Sequence, residues 1–71
     1  MTNTLELEIQ MLKAGISKRD LAKALNISEM ALFNKLRNVT EFKASEIVKI
    51  SELLNLTSDV RDAIFFAQNV I

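Results

Sequence analysis

The chain of 71 residues contains no histidine, cysteine, tyrosine, tryptophan or proline, and it has a single glycine. Without cysteine it can form neither a disulfide nor a thiolate metal site, and without histidine it lacks the commonest general base and metal ligand. The carboxylates do not compensate, because Glu6 and Glu8 are two residues apart on a predicted helix and point to different sides of it. We therefore predict no catalytic residue, metal, cofactor or small-molecule substrate, and we expect a protein that is not an enzyme.

Long apolar runs are also missing, although 49% of the residues are hydrophobic. A membrane-spanning helix needs about 18 or more consecutive apolar residues, and no stretch of the chain approaches that length. The first ten residues, MTNTLELEIQ, lack the basic and then apolar order of a signal peptide. The sequence therefore favours one small domain over residues 1–71 that is cytoplasmic and contacts no membrane.

Charge is unevenly distributed along the chain, although the formal net charge is zero. Residues 13–43 contain seven lysines and arginines against three acidic residues, so that 7 − 3 = +4, whereas residues 1–12 and 44–71 each carry −2. A local excess of basic side chains attracts polyanions such as nucleic acid even when the total charge is zero. The alternative is that a solvated pair of helices carries these lysines without any such role.

Apolar spacing and capping residues predict an all-α fold of five helices. Asn3, Ser17 and Thr57 are suited to begin helices, and Gly15 is suited to end the first one. Phe42 is expected to pack on Ile47 as a hydrophobic staple at the start of the fourth helix. Only one of two adjacent phenylalanines can face inward, since neighbours on a helix are about 100° apart. The predicted buried positions are Leu5, Ile9, Leu12, Leu21, Ala22, Leu25, Ala31, Leu32, Leu36, Ile47, Ile50, Leu53, Leu54, Val60, Ile64 and either Phe65 or Phe66.

Residues 17–38, SKRDLAKALNISEMALFNKLRN, predict two short amphipathic helices joined by a tight turn. Ser28 is suited to cap the second helix, and Asn26 is the non-glycine residue type best suited to a left-handed backbone in the turn. Ile27 is expected to fill the angle between the two helices. The outward positions of the second helix, residues 29–37, are Glu29, Met30, Phe33, Asn34 and Arg37.

This segment, together with EIVKISELLNL after it, resembles the lambda-repressor-like helix-turn-helix family, in particular the small Cro-like proteins of temperate phages. The resemblance rests on Leu21, Ala22, Asn26, Ile27, Ser28, Leu32 and Leu36. The ending DVRDAIFFAQNVI looks like that of a group of short Cro-like phage proteins from Gram-positive hosts. The resemblance implies a compact five-helix bundle with a helix-turn-helix at about residues 17–38, acting as a regulator of a genetic switch in a bacterial host cell.

The resemblance also implies roles for individual side chains. The helix 29–37 would enter the major groove of double-stranded operator DNA, which is about 12 Å wide. The positions that it places at base edges are Ser28, Glu29, Met30, Phe33 and Asn34. The positions that it places near phosphates are Lys18, Lys35, Arg37, Asn38 and Lys43. A homodimer would be needed to reach two half-sites about 34 Å apart, and its expected contact residues are Phe66, Val70 and Ile71.

Two apolar side chains on the outward face leave a second hypothesis open. Met30 and Phe33 are suited to a protein partner as well as to DNA, and Glu29 repels phosphate. Some small phage switch proteins resemble helix-turn-helix modules yet bind the phage's main repressor and mask its DNA-binding surface. A third alternative is a purely structural bundle in which Phe33 lies against Phe42 or Arg37 and completes the core.

Overall fold

The computed structural model describes residues 1–66, and this part of the chain forms five α-helices and no strand. The prediction of an all-α fold is confirmed for these residues. None of the five helices is long and apolar enough to cross a membrane. Val70 and Ile71, which were expected at a dimer contact, lie outside the described residues. The helices are α1 (Thr4–Ala14), α2 (Lys18–Leu25), α3 (Glu29–Leu36), α4 (Ala44–Leu53) and α5 (Ser58–Phe65).

The predicted capping residues begin their helices as expected. At α2 the Ser17 hydroxyl accepts a hydrogen bond from the Asp20 N–H at 3.1 Å, and the Asp20 carboxylate accepts one from the Ser17 N–H at 3.2 Å. The hydrogen bond from the Ser17 backbone holds the pKa of Asp20 below its ordinary value, because it stabilises the charged carboxylate. The other side chains that accept a hydrogen bond from the first turn of their helix are Asn3, Ser28 and Thr57.

Left-handed residues end the first four helices. Gly15 has φ of 70° after α1, and Asn26 has φ of 56° after α2. The sequence pattern predicts these two, whereas Asn38 and Asn55 take the same conformation after α3 and α4 without having been expected to. Asparagine tolerates this conformation better than other residues that have a Cβ, so the chain turns sharply with a single glycine.

The core lies where α2 meets α3 and α4 and where α1 meets α5. Phe42, in the segment between α3 and α4, joins it and contacts the Phe65 ring edge to face, with 5.5 Å between ring centroids. Phe65 is therefore the inward member of the Phe65 and Phe66 pair. Phe42 also lines one groove with Ile47, as a hydrophobic staple requires. The buried apolar side chains are Leu7, Met11, Leu21, Ala22, Leu32, Leu36, Phe42, Ile50, Leu54, Ile64 and Phe65.

The predicted buried side of α1 is wrong. The side chains of Leu7 and Met11 are buried, while the expected positions lie on the exposed side of the helix. The Asn3 N–H donates a hydrogen bond to the Ile64 carbonyl at 2.7 Å, which fixes the start of α1 against α5 and turns Leu7 toward the core. Leu53 is also exposed rather than buried on α4. The positions on α1 that were wrongly predicted to be buried are Leu5, Ile9 and Leu12.

Candidate nucleic-acid interface

The α2 and α3 helices, of eight residues each, are joined by residues 26–28. Left-handed Asn26 reverses the chain, and the Ile27 N–H donates a hydrogen bond back to the Ala22 carbonyl at 3.0 Å. Ile27 packs partly buried against the core, and Ser28 caps α3. The turn is therefore held by hydrogen bonds at both ends and by an apolar side chain inside it. This arrangement fixes the direction in which α3 leaves α2.

One side of α3 is buried and the opposite side is exposed. Leu32 and Leu36 anchor the buried side, whereas Met30 is 66% exposed and Phe33 is 46% exposed. We call the exposed side chains Glu29, Met30, Phe33 and Arg37 the α3 face. A groove of about 280 Å³ runs along it, lined by Lys18, Glu29, Met30, Leu32, Phe33 and Leu36.

The five residues expected at base edges occupy different positions on this side of the molecule. Glu29, Met30 and Phe33 share the groove. Ser28 is exposed at the start of α3, where its hydroxyl already accepts the hydrogen bond of the cap. Asn34 is half-buried, and its backbone carbonyl accepts a hydrogen bond from the Val39 N–H at 2.9 Å. The structure therefore brings three of the five together.

Arg37 lies on the α3 face, beside Phe33. Its guanidinium carbon is 5.2 Å from the centroid of the Phe33 ring, and its backbone N–H donates to the Phe33 carbonyl at 3.0 Å. The contact between Phe33 and Arg37 was one of the alternatives left open by the sequence. Phe33 remains nearly half exposed beside Arg37, so this contact does not complete a core.

Lys35 does not belong among the phosphate-contacting residues. The residue is 8% exposed, and its Nζ lies 3.1 Å from Glu46 Oε1 and donates a hydrogen bond to the Glu41 carbonyl at 3.1 Å. The same ammonium group is 5.8 Å from the centroid of the Phe42 ring. The physical reason is that α3 packs against the segment that leads into α4, so position 35 faces protein rather than solvent. The partner carboxylate of Glu46 also accepts the Lys43 N–H at 2.8 Å.

Asn38 is also held by the protein itself. Its Nδ2 donates to the Thr2 carbonyl at 3.2 Å, and its Oδ1 accepts the Thr2 N–H at 2.9 Å. The carboxamide thus joins the end of α3 to the N-terminal segment, which leaves one of its two N–H donors for a phosphate. Lys18 differs from Asn38. Its Nζ is 3.2 Å from Glu8 Oε1, both side chains are exposed, and exposed ion pairs contribute little to stability. Lys18 can therefore exchange its weak ion pair for a phosphate, and the exposed Lys43 can exchange solvent for one.

The burial of Lys35 lowers the basic excess that is available at the surface. Six exposed lysines and arginines remain between residues 13 and 43 against the same three acidic residues, so that 6 − 3 = +3. Arg19 is one of them, on the first turn of α2, with its Nε 3.9 Å from a carboxylate oxygen of Glu29. The sequence pattern does not assign this arginine a role. The available signal was its basic side chain in the first turn after the capping residue Ser17.

A family model described as "Protein of unknown function (DUF739)" matches residues 6–68 of the chain. The match takes in most of α1 and all of the α2 and α3 helices that carry the face described above. No curated protein and no solved structure matches the chain. The family description names no ligand, partner or activity.

Proposed function

The chain belongs to the DUF739 family, and from the geometry of its α2 and α3 helices we propose that it is a phage-type helix-turn-helix transcriptional regulator. It binds double-stranded operator DNA through α3, as a homodimer, and its helix-turn-helix spans residues 17–38. The observation that carries this proposal is the α2–turn–α3 unit itself. Two helices of eight residues are joined through left-handed Asn26, and the second presents an exposed side that no other described element covers.

In this proposal α3 enters the major groove and α2 lies across the DNA backbone. Glu29 accepts a hydrogen bond from the amino group of a cytosine, and Met30 contacts a thymine methyl group. Asn34 pairs with adenine at the edge of the face, where Ser28 adds a hydroxyl at the helix start. These contacts suit a short helix that offers both polar and apolar groups to the bases.

The phosphate contacts come from a small set of exposed basic side chains. Lys18 and Arg19 lie on the first turn of α2, and Lys43 lies just before α4. A homodimer with three such contacts in each protomer would neutralise about six phosphates, which corresponds to a slope of log K against log salt of about −5. Because the net charge of the chain is zero, the proposal requires these local charges to supply the attraction.

Fluorescence anisotropy of the purified protein against duplex DNA from its own upstream region, at low and physiological salt, tests this function. We expect binding that weakens steeply with salt. Lys43→Ala should weaken binding to every sequence and make the salt slope smaller in magnitude by about 1 for each lost contact, whereas Asn34→Ala should relax the preference at one base pair by about 1 to 3 kcal/mol.

Lys49→Ala is the matched control for charge, because Lys49 is an exposed lysine on α4 that lines a groove with Ala24 and Leu25, away from the α3 face. It should leave both the affinity and the salt slope unchanged. Weak anisotropy at low salt with every duplex would contradict operator binding. So would an equal loss of affinity for Lys49→Ala and Lys43→Ala.

A second candidate function is favoured by the apolar side chains of the groove. Met30 and Phe33 line it with the apolar Leu32 and Leu36, and burial of Lys35 removes one positive charge from this side. On this proposal the α3 face docks on a phage repressor protein and masks its DNA-binding surface. Adaptable methionine and bulky phenylalanine are typical anchors of protein interfaces.

The anchors can be tested in a binding experiment with a purified phage repressor as the candidate partner. The double variant Met30→Ala with Phe33→Ala should lose the complex, measured by calorimetry, and keep its helical circular dichroism. Leu5→Ala is the matched control, because Leu5 is an apolar residue on α1 that is even more exposed than Met30 and Phe33. A complex that persists in the double variant would remove the α3 face as the docking surface.

A further inference from the structure

The stack of Arg37 on Phe33 is an ordered arrangement on the exposed side of α3. The guanidinium carbon is 5.2 Å from the ring centroid, and the two residues are one helical turn apart. Within residues 1–66 no carboxylate lies within 4.0 Å of the Arg37 guanidinium, so the ring rather than an ion pair positions it. The basic residues that do have such a carboxylate are Lys18, Arg19, Lys35 and Arg61.

The contact with the Phe33 ring leaves the N–H groups of Arg37 available as hydrogen-bond donors. A cation over a ring is attracted by the ring quadrupole, and this attraction does not use up the five N–H donors of a guanidinium. A guanidinium edge donates two parallel hydrogen bonds to the O6 and N7 acceptors of guanine, which is the commonest specific contact to a base. A guanidinium already held against a ring loses less freedom when it forms this pair than a freely rotating one.

The Phe33 ring adds a second contact beside the first. An aromatic side chain makes apolar contact with the C5 methyl group of thymine in the major groove. The ring and the guanidinium are 5.2 Å apart, which is less than the roughly 6.8 Å that separates bases two steps apart on one strand. This separation allows the two side chains to reach groups on adjacent base pairs.

We propose that Phe33 and Arg37 act as one unit that recognises a thymine and a guanine on adjacent base pairs of the operator. This inference rests on the proposed function. It changes the role of Arg37 from a phosphate contact to a base contact that depends on the neighbouring ring. Phe33 in turn serves both as the thymine contact and as the platform for Arg37.

The first step of the test is selection of bound duplexes from a random pool by the full chain. Binding to the selected duplex is then compared with binding to two duplexes that carry one modified base each, at the thymine or the guanine position. Uracil removes only the thymine methyl group, and 7-deazaguanine removes only the N7 acceptor. We expect each change to weaken binding of the wild-type protein by about tenfold.

Variants show whether the two side chains act together. Arg37→Met removes the N–H donors and keeps the aliphatic stem, so it should bind the guanine and 7-deazaguanine duplexes equally while the uracil penalty remains. Phe33→Ala should abolish the uracil penalty and also reduce the 7-deazaguanine penalty, because the platform is lost. Lys43→Ala should keep both penalties at full size while its salt dependence is weaker.

The outcomes separate the inference from the function on which it rests. A pool from which no sequence is enriched would overturn operator binding and the inference with it. An enriched sequence without adjacent thymine and guanine would overturn the inference alone. The same conclusion follows if Arg37→Met retains the full 7-deazaguanine penalty, or if Phe33→Ala leaves that penalty unchanged.

Discussion

Replacement of Lys35 by alanine is expected to destabilise the fold by about 3 to 5 kcal/mol. The change leaves the carboxylate of Glu46, which is 7% exposed, without its positive partner, and it removes the hydrogen bond to the Glu41 carbonyl. A domain of this length has a total stability of about 4 to 11 kcal/mol at the usual 0.05 to 0.15 kcal/mol per residue. Urea unfolding followed by circular dichroism should therefore show a variant that has lost a large fraction of the wild-type stability.

The paired replacement Lys35→Met with Glu46→Gln separates the buried charge from the packing. It removes both charges, keeps the aliphatic bulk of position 35, and leaves an oxygen at position 46 that can still accept the Lys43 N–H. Most of the lost stability should return, because a buried ion pair replaced as a pair is often nearly neutral. If Lys35→Ala unfolded at the same urea concentration as Lys49→Ala, the buried pair would contribute nothing.

The same ion pair bears on the α3 face. Lys35 on α3 meets Glu46 in the first turn of α4, and Glu46 also holds the backbone at the start of that helix. The pair thus fixes how α3 is rotated about its own axis, with Lys35 and Leu36 inward and Phe33 outward. A side chain that looks like a phosphate contact in the sequence instead sets which residues are left for recognition.

Helix ends were predictable because their determinants are local. The hydroxyl of Ser17 and the N–H that it caps are three residues apart, and Gly15 needs no tertiary contact to adopt a positive φ. The buried side of α1 was not predictable in this way. Leu5 and Ile9 have helical spacing, but so do Leu7 and Met11, and only tertiary contacts, such as that of the Asn3 backbone with α5, decide between the two sides.

The candidate site was predictable to a similar extent. The exposure of Met30 and Phe33 follows from their spacing against the buried Leu32 and Leu36. The burial of Lys35 does not, since lysine is almost never fully buried without a partner and the partner lies on another helix. No pattern within α3 indicates Glu46 as the acidic partner, because Glu46 lies on α4.

The second large effect on stability is expected at the end of α5, where the exposed Phe66 serves as a control for its buried neighbour Phe65. Phe65→Ala should cost about 3 to 5 kcal/mol, because Phe65 is buried and its ring packs edge to face on Phe42. Phe66→Ala should change the stability of the monomer by no more than about 0.5 kcal/mol, because Phe66 is 56% exposed. Urea unfolding of both variants at low protein concentration measures the difference.

The exposed ring is where the proposed homodimer can be tested apart from the core. Phe66 lines a groove of about 480 Å³ with Ala44, Ile47, Val48 and others, an apolar surface that a second copy would cover. If it does, the wild-type unfolding midpoint rises with protein concentration, because association stabilises the folded state by mass action. Phe66→Ala should lose that dependence and sediment as a monomer while keeping the low-concentration midpoint of the wild type. A Phe66→Ala protein as unstable as Phe65→Ala at low concentration would instead place both rings in the folding core of one chain.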